Sequence, residues 1–82
     1  MTVVEIIAGV GFLILLSAFA LNAVGRMDRS TLMYDGMNAA GAAILSWYAV
    51  IREAPIFVLL EATWSLIALM SLFAKLWKIR SA

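Results

Sequence analysis

Two carboxylic acids lie where this chain is otherwise apolar, and they are the side chains best placed to do chemistry. Glu61 is the only charged residue of the segment 56–74, and Asp35 lies near the start of an earlier apolar segment. An ionisable group inside hydrocarbon costs about 2.5 kcal/mol or more, so such a residue is by default a functional hypothesis. A carboxyl in this setting can relay a proton, bind a cation, pair with a basic group or hold two helices together.

The sequence contains few of the residue types that enzymes use for catalysis. The chain has no cysteine and no histidine, which removes thiol chemistry and the commonest metal ligand. A nucleophilic Ser or Thr would need a base, and Glu61 and Asp35 fall at opposite ends of the apolar segments. The sequence also lacks a phosphate loop, a dinucleotide fingerprint and a nucleic-acid surface. We therefore predict no enzymatic activity, no metal, no cofactor and no nucleic-acid partner.

The composition predicts that lipid surrounds much of the chain. Of its 82 residues 66% are hydrophobic and 13% are charged, whereas soluble domains have about 45–50% and 25%. Three apolar segments, at about 3–24, 32–51 and 55–77, approach the ~20 residues that a helix needs to cross a membrane. Short connections make neighbouring helices antiparallel. We predict an all-α membrane protein with one domain, 1–82, built as an up-down-up bundle of three transmembrane helices.

The first segment is interpreted as a retained helix, because residues 1–5 lack the Lys or Arg of a signal peptide. Basic residues then predict the orientation. Five of the six Lys and Arg residues lie on the side of the first loop and the C-terminus, and only Arg52 lies opposite. The five are topology or lipid anchors: Arg26, Arg29, Lys75, Lys78 and Arg80. Because such residues mark the cytoplasmic face, we expect the N-terminus outside and the C-terminus in the cytoplasm.

Counting about 1.5 Å per residue from each helix end sorts the polar residues by depth. Glu61 falls level with Ser46, with Trp64 beside it on one helical stripe, and Asn38 lies a similar distance from the inner side. Asp35 and Asn22 form a shallower inner pair. The predicted intramembrane polar site is Glu61, Asn38, Ser46 and Trp64, the inner-face polar residues are Asp35 and Asn22, and the predicted packing residues are Gly36, Ala40 and Gly41.

Each polar residue also has a structural interpretation. Asn38 can join two helices by a side-chain hydrogen bond, and Asp35 can pair with Arg26 or Arg29. Glu61 leaves three structural alternatives open beside a functional role. It can be protonated and hydrogen-bonded to a hydroxyl such as Ser46 or Thr63, paired with Arg52, or paired with a basic residue of another protein. The sequence does not choose among them.

The pattern Tyr34-x-x-x-Asn38-x-x-Gly41-Ala42, followed by Pro55 and by Glu61-x-x-Trp64-x-x-Ile67, resembles a family of small, uncharacterised bacterial three-helix integral membrane proteins. The resemblance covers about residues 5–75 and implies a bacterial inner-membrane location without any activity. More distantly, Trp47-Tyr48 followed by Pro55 is similar to the SemiSWEET half-transporters, which dimerise around a sugar pathway. Those proteins have a Pro-Gln hinge in the first helix, and residues 3–24 contain neither residue.

Two functions follow as expectations. The first is an accessory or assembly subunit, which packs against copies of itself or docks to a larger membrane complex within the lipid. The second is an oligomeric SemiSWEET-like transporter or proton-coupled channel that uses Glu61 and Asn38. Three helices enclose little interior space, so transport would need several copies. The direction of Glu61 distinguishes the two, because a carboxyl that faces lipid favours a foreign partner.

Overall fold

The computed structural model describes residues 1–81 and consists of three helices, α1 (Val3–Ala23), α2 (Leu32–Ile51) and α3 (Pro55–Ser81). The all-helical fold is therefore confirmed, with bounds within one residue of the prediction for α1 and α2. The predicted end of the third helix, at residue 77, is wrong. Lys78, Ile79 and Arg80 continue α3 because none of them breaks a helix, and the basic residues of the last turn complement the helix dipole.

Hydroxyl residues define where α1 and α2 begin. Thr2 accepts from the Glu5 backbone N–H at 3.1 Å while the Glu5 carboxylate accepts from the Thr2 backbone, which forms a capping box. Thr31 caps α2 through the Tyr34 N–H at 3.2 Å. In loop 1, residues 24–31, the Ser30 backbone N–H donates to the Asp28 carboxylate at 2.9 Å. That bond, together with the Ser30 hydroxyl, holds the pKa of Asp28 below its usual range.

α2 lies between α1 and α3, and contacts both. Within residues 1–81 the backbones of α1 and α3 do not approach each other, so the helices form a row instead of a closed bundle. The molecule accordingly measures 45 × 24 × 19 Å. Neighbouring helices are antiparallel, since Gly11 faces Ile44 and Leu15 faces Gly41. In this row, parts of the α2 surface are covered by neither α1 nor α3.

Two glycines bring α1 and α2 together. A Cβ atom built on Gly41 would lie 2.8 Å from the Leu15 Cγ and 2.9 Å from the Gly11 carbonyl oxygen. One built on Gly11 would lie 2.6 Å from the Ile44 Cγ2. All three distances are shorter than a real Cβ atom makes with a neighbouring atom, so the helix axes approach closely only because neither residue has a side chain. Small residues serve this role in membrane helix pairs generally.

The interior is built from small side chains, and most large apolar side chains lie outside. Within residues 1–80 the buried apolar side chains are all alanines: Ala8, Ala18, Ala39, Ala42, Ala49 and Ala68. By length and composition, α1 and the segment Pro55–Arg80 could each cross a membrane. α2, the shortest helix at 20 residues, is not among these candidates. Two potential spans and an apolar exterior indicate a membrane protein.

Candidate functional site

A side-chain amide joins α2 to α3 at one level. Asn38 is 7% exposed, and its Nδ2 donates to the Tyr34 carbonyl oxygen of its own helix at 2.8 Å. Its Oδ1 accepts from the Trp64 indole Nε1 of α3 at 3.0 Å. At the next residue of each helix, the Ser65 hydroxyl donates to the Ala39 carbonyl at 3.1 Å. The Asn38 amide therefore both donates and accepts a hydrogen bond. Two adjacent residues of α3, Trp64 and Ser65, make side-chain hydrogen bonds to α2.

Asp35 lies one turn closer to loop 1 and pairs with α3. Its Oδ2 is 2.8 Å from the Lys75 Nζ, and the residue is only 4% exposed. Within residues 1–81 this oxygen has no aligned hydrogen bond, so the ion pair is its main electrostatic compensation. Lys75 also donates to the Arg29 carbonyl oxygen. The sequence offered Arg26 or Arg29 as partners for Asp35, and the structure instead gives Lys75.

Asp35, Asn38 and Trp64 border a cavity of about 390 Å³, which we call the inner cavity. Its lining combines polar groups from loop 1 and α2 with a largely apolar wall from α3. The lining residues are Arg29, Tyr34, Asp35, Asn38, Trp64, Ile67, Ala68 and Ser71. On α3 the positions 64, 68, 71 and 75 recur at helical spacing, so one face of that helix carries the wall and the lysine.

Glu61 lies in a different cavity, of about 330 Å³, near loop 2, residues 52–54. We call it the outer cavity. Glu61 is half-buried, and in the part of the chain that the structure describes its carboxylate has no hydrogen bond or ion pair. The other lining residues are Leu45, Tyr48, Ala49, Arg52, Ala54 and Phe57. Arg52 lies over the Tyr48 ring, with its Cζ 6.0 Å from the ring centroid, instead of pairing with Glu61.

The remaining predicted site residues are distributed over the fold. Asn22 lies in the last turn of α1, where its amide donates to the Met27 carbonyl at 2.9 Å and accepts from the Arg29 Nε at 3.4 Å. It therefore organises loop 1. Ser46 is half-buried on α2. The predicted anchors Arg26, Lys78 and Arg80 are exposed.

The predicted packing residues of α2 divide between two faces. Gly41 is buried against α1, whereas Ala40 is exposed. A Cβ on Gly36 would meet nothing within 4 Å. Gly36 and Ala40 line an open depression beside Ile14 and Met37. Only Gly41 therefore packs within this chain, and the other two belong to a surface.

Sequence reasoning did not assign Lys75 as the partner of Asp35, and it gave Tyr34 and Ser71 no place in the site. The spacing of Trp64, Ser71 and Lys75 on α3 was a usable signal, because it places all three on one face. No group of acidic residues in residues 1–81 is arranged to hold a metal ion. The inner cavity offers hydrogen-bond donors and a cation, and the outer cavity offers an unpaired carboxylate.

Four residues of the pattern quoted above, Tyr34, Asn38, Trp64 and Ile67, line the inner cavity together. A model of a protein family without known function matches residues 4–80, nearly the whole chain. The chain belongs to this family. No curated protein and no solved structure matches it, so the resemblance to SemiSWEET has no support. Membership confirms the resemblance to an uncharacterised family and brings no activity with it.

Proposed function

We propose that the protein is a multi-pass protein of the bacterial inner membrane and acts as a small accessory or assembly subunit. It binds through its helices, either to further copies of itself or to a larger membrane complex.

The inference that α2 also crosses the membrane is supported by how its polar residues are compensated. Asp35 and Asn38 make α2 less apolar than a solitary span. Asp35 pairs with Lys75, and Asn38 accepts a hydrogen bond from Trp64. Both partners lie on α3, so α3 provides each of these polar side chains of α2 with a polar contact. Polar residues within membranes are tolerated where neighbouring helices satisfy them. The 45 Å length of the molecule is close to the ~40–45 Å of a bilayer with its headgroups.

The orientation is supported by the distribution of charge between the two ends. The end formed by loop 1 and the C-terminus, which we call the basic end, carries five basic and two acidic side chains. The opposite, acidic end carries Arg52 together with Glu5, Glu53 and Glu61. Since Lys and Arg near short loops stay in the cytoplasm, the basic end is cytoplasmic and the N-terminus is outside.

The observation that carries the proposed role is the isolation of Glu61. Its carboxylate has no polar partner within residues 1–81, although Arg52 lines the same cavity. A carboxyl in the hydrocarbon region that its own chain leaves unpaired is costly, and a basic or hydroxyl side chain from another polypeptide would remove that cost. The outer cavity is therefore the docking contact.

A second surface fits the same role. Gly36, Ala40, Ala43 and Trp47 are spaced by four, three and four residues, so they share one face of α2. This face lies away from the Asn38–Trp64 contact, and Ala40, Ala43 and Trp47 are exposed. Small residues at helical spacing allow another helix to approach closely. Together with the outer cavity, the chain offers two surfaces to partners.

The transport alternative has less support. Both polar groups of the Asn38 amide are engaged with Tyr34 and Trp64, so binding a solute there would first break a helix contact. Asn38 and Glu61 also line different cavities. A pathway through both would require several copies to join the two cavities.

Site-specific photocrosslinking in the native membrane tests the proposed role. A photoreactive phenylalanine analogue replaces Phe57 in the outer cavity, and in a matched control it replaces Phe12, which is exposed on α1. We expect a protein adduct from position 57 and lipid adducts alone from position 12. Adding Glu61→Ala should abolish the protein adduct, whereas Glu53→Ala should preserve it. Equal adducts from both positions, or adducts insensitive to Glu61→Ala, would refute docking at the outer cavity.

A further inference from the structure

The inner cavity has a charge and a set of donors that the helix contacts do not use. Asp35 and Lys75 neutralise each other at 2.8 Å, which leaves Arg29 as the net charge of the cavity. The Arg29 side chain makes one long hydrogen bond, from its Nε to the Asn22 Oδ1 at 3.4 Å. Its two terminal nitrogens make none within residues 1–81. A guanidinium with free terminal N–H groups is the geometry that binds a phosphate through two hydrogen bonds.

Two hydroxyls add to these donors. Tyr34 and Ser71 both line the cavity, and neither hydroxyl has a hydrogen-bond partner in the described part of the chain. By contrast, the polar groups of Asn38 and Trp64 are already paired with each other. The unused polar groups of the inner cavity are thus one cation and two hydroxyls, a set suited to an anion.

The opposite wall determines what kind of anion fits. Trp64, Ile67 and Ala68 form an apolar surface along α3, and it leads away from loop 1 toward the middle of the molecule. A small hydrated anion gains nothing from such a wall. A molecule with an anionic head and an apolar tail places the head at Arg29 and the tail along Trp64 and Ile67.

We propose that the inner cavity binds an anionic phospholipid, with its phosphate at Arg29, Tyr34 and Ser71 and an acyl chain on the α3 wall. This site is independent of the docking role of Glu61, because the two cavities share no lining residue. The basic end lies where anionic headgroups would be met, and the exposed Lys78 and Arg80 increase the local positive potential.

Native mass spectrometry of the full-length protein tests this proposal by lipid titration. The probes are phosphatidylglycerol and phosphatidylcholine with identical acyl chains, added to the detergent-solubilised protein. We expect phosphatidylglycerol to bind about fivefold more tightly, the effect of one basic residue near a charged headgroup. Arg29→Gln should remove this preference. Arg52→Gln, which deletes the same residue type at the acidic end, should leave it unchanged.

A second variant and a soluble competitor complete the test. If Arg29→Gln loses its helical circular dichroism, Tyr34→Phe serves in its place and should weaken phosphatidylglycerol binding about threefold through one lost hydrogen bond. Soluble glycerol phosphate is added as a competitor, and it should not displace the lipid. Displacement at equal concentration would identify a soluble-anion site and overturn the lipid assignment. Equal binding of the two lipids to the wild type, or an equal loss in Arg52→Gln, would overturn the site itself.

Discussion

Asp35 and Glu61 are the same kind of residue in two different situations. Asp35 is almost fully buried at the α2–α3 contact and lies 2.8 Å from the Lys75 Nζ. Glu61 is half-buried in the outer cavity and has no polar partner among residues 1–81. Asp35 has its partner within its own fold, which indicates a structural role. Glu61 has no such partner, which is the basis for proposing that it contacts another molecule.

The environments of the two residues differ in the same way. Around Asp35, the amide of Asn38, the indole of Trp64 and the hydroxyl of Ser65 all make hydrogen bonds. Around Glu61, the lining is mostly apolar, and Arg52 is turned toward Tyr48. The α2–α3 pair is therefore held by polar contacts toward the basic end and left open toward the acidic end.

Removing the partner of Asp35 should have the largest effect. Lys75→Ala leaves a buried carboxylate uncompensated, and breaking a buried pair in this way costs about 3–5 kcal/mol. We expect a loss of about that size in the free energy of unfolding, measured by denaturant titration in detergent micelles. Lys78→Ala removes an exposed lysine three residues away and should change stability by less than about 0.5 kcal/mol. Equal effects of the two variants would mean that the Asp35–Lys75 pair is not a structural contact.

Replacing Glu61 should act in the opposite direction. Glu61→Leu removes an unpaired carboxyl from a hydrophobic region, so the isolated chain should gain about 2 kcal/mol in its free energy of unfolding. The same titration measures this gain, and Asp35→Leu should lose stability because it leaves Lys75 unpaired. A destabilised Glu61→Leu chain would show that Glu61 has a partner inside its own fold, and the contrast between the two carboxyls would fail.

Much of the fold could be predicted from the sequence, because helix ends and apolar length are local properties. The bounds of α1 and α2 followed from the lengths of the apolar segments. The rotation of each helix about its axis is not local. Counting residues from the helix ends placed Asn38 and Trp64 by depth alone, without the hydrogen bond that joins them. For the same reason Lys75 was interpreted as an anchor, although its long side chain reaches Asp35.

The sequence also did not predict that the three helices form a row. Short loops require that α1 neighbours α2 and that α2 neighbours α3, but they leave open whether α1 closes against α3. That closure depends on the angle between the two contacts on α2. Gly41 faces α1 whereas Asn38 faces α3, and the sequence alone does not show which helix each of these residues contacts.

Breaking the hydrogen bond at Trp64 should change the free energy of unfolding by less than Lys75→Ala or Glu61→Leu does. Trp64→Phe keeps an aromatic ring on the α3 wall but leaves the Asn38 Oδ1 without its donor. Hydrogen bonds between membrane helices contribute about 0.6–1.7 kcal/mol, so we expect a destabilisation in that range by denaturant titration. Trp47→Phe is the matched control, since Trp47 is exposed on the opposite face of α2. If both variants lost the same stability, the Asn38–Trp64 bond would add nothing specific to the α2–α3 contact.

The most direct test of the account is native mass spectrometry of the protein extracted gently from its own membrane, with the wild type and Glu61→Leu compared. We expect the wild type to leave the membrane bound to a second copy or to a larger complex. Glu61→Leu should lose the companion that docks at the outer cavity, because it lacks the carboxyl that this partner binds. A wild-type protein that is extracted as a solitary chain, or a Glu61→Leu variant that keeps every companion, would contradict the claim that Glu61 is the docking contact.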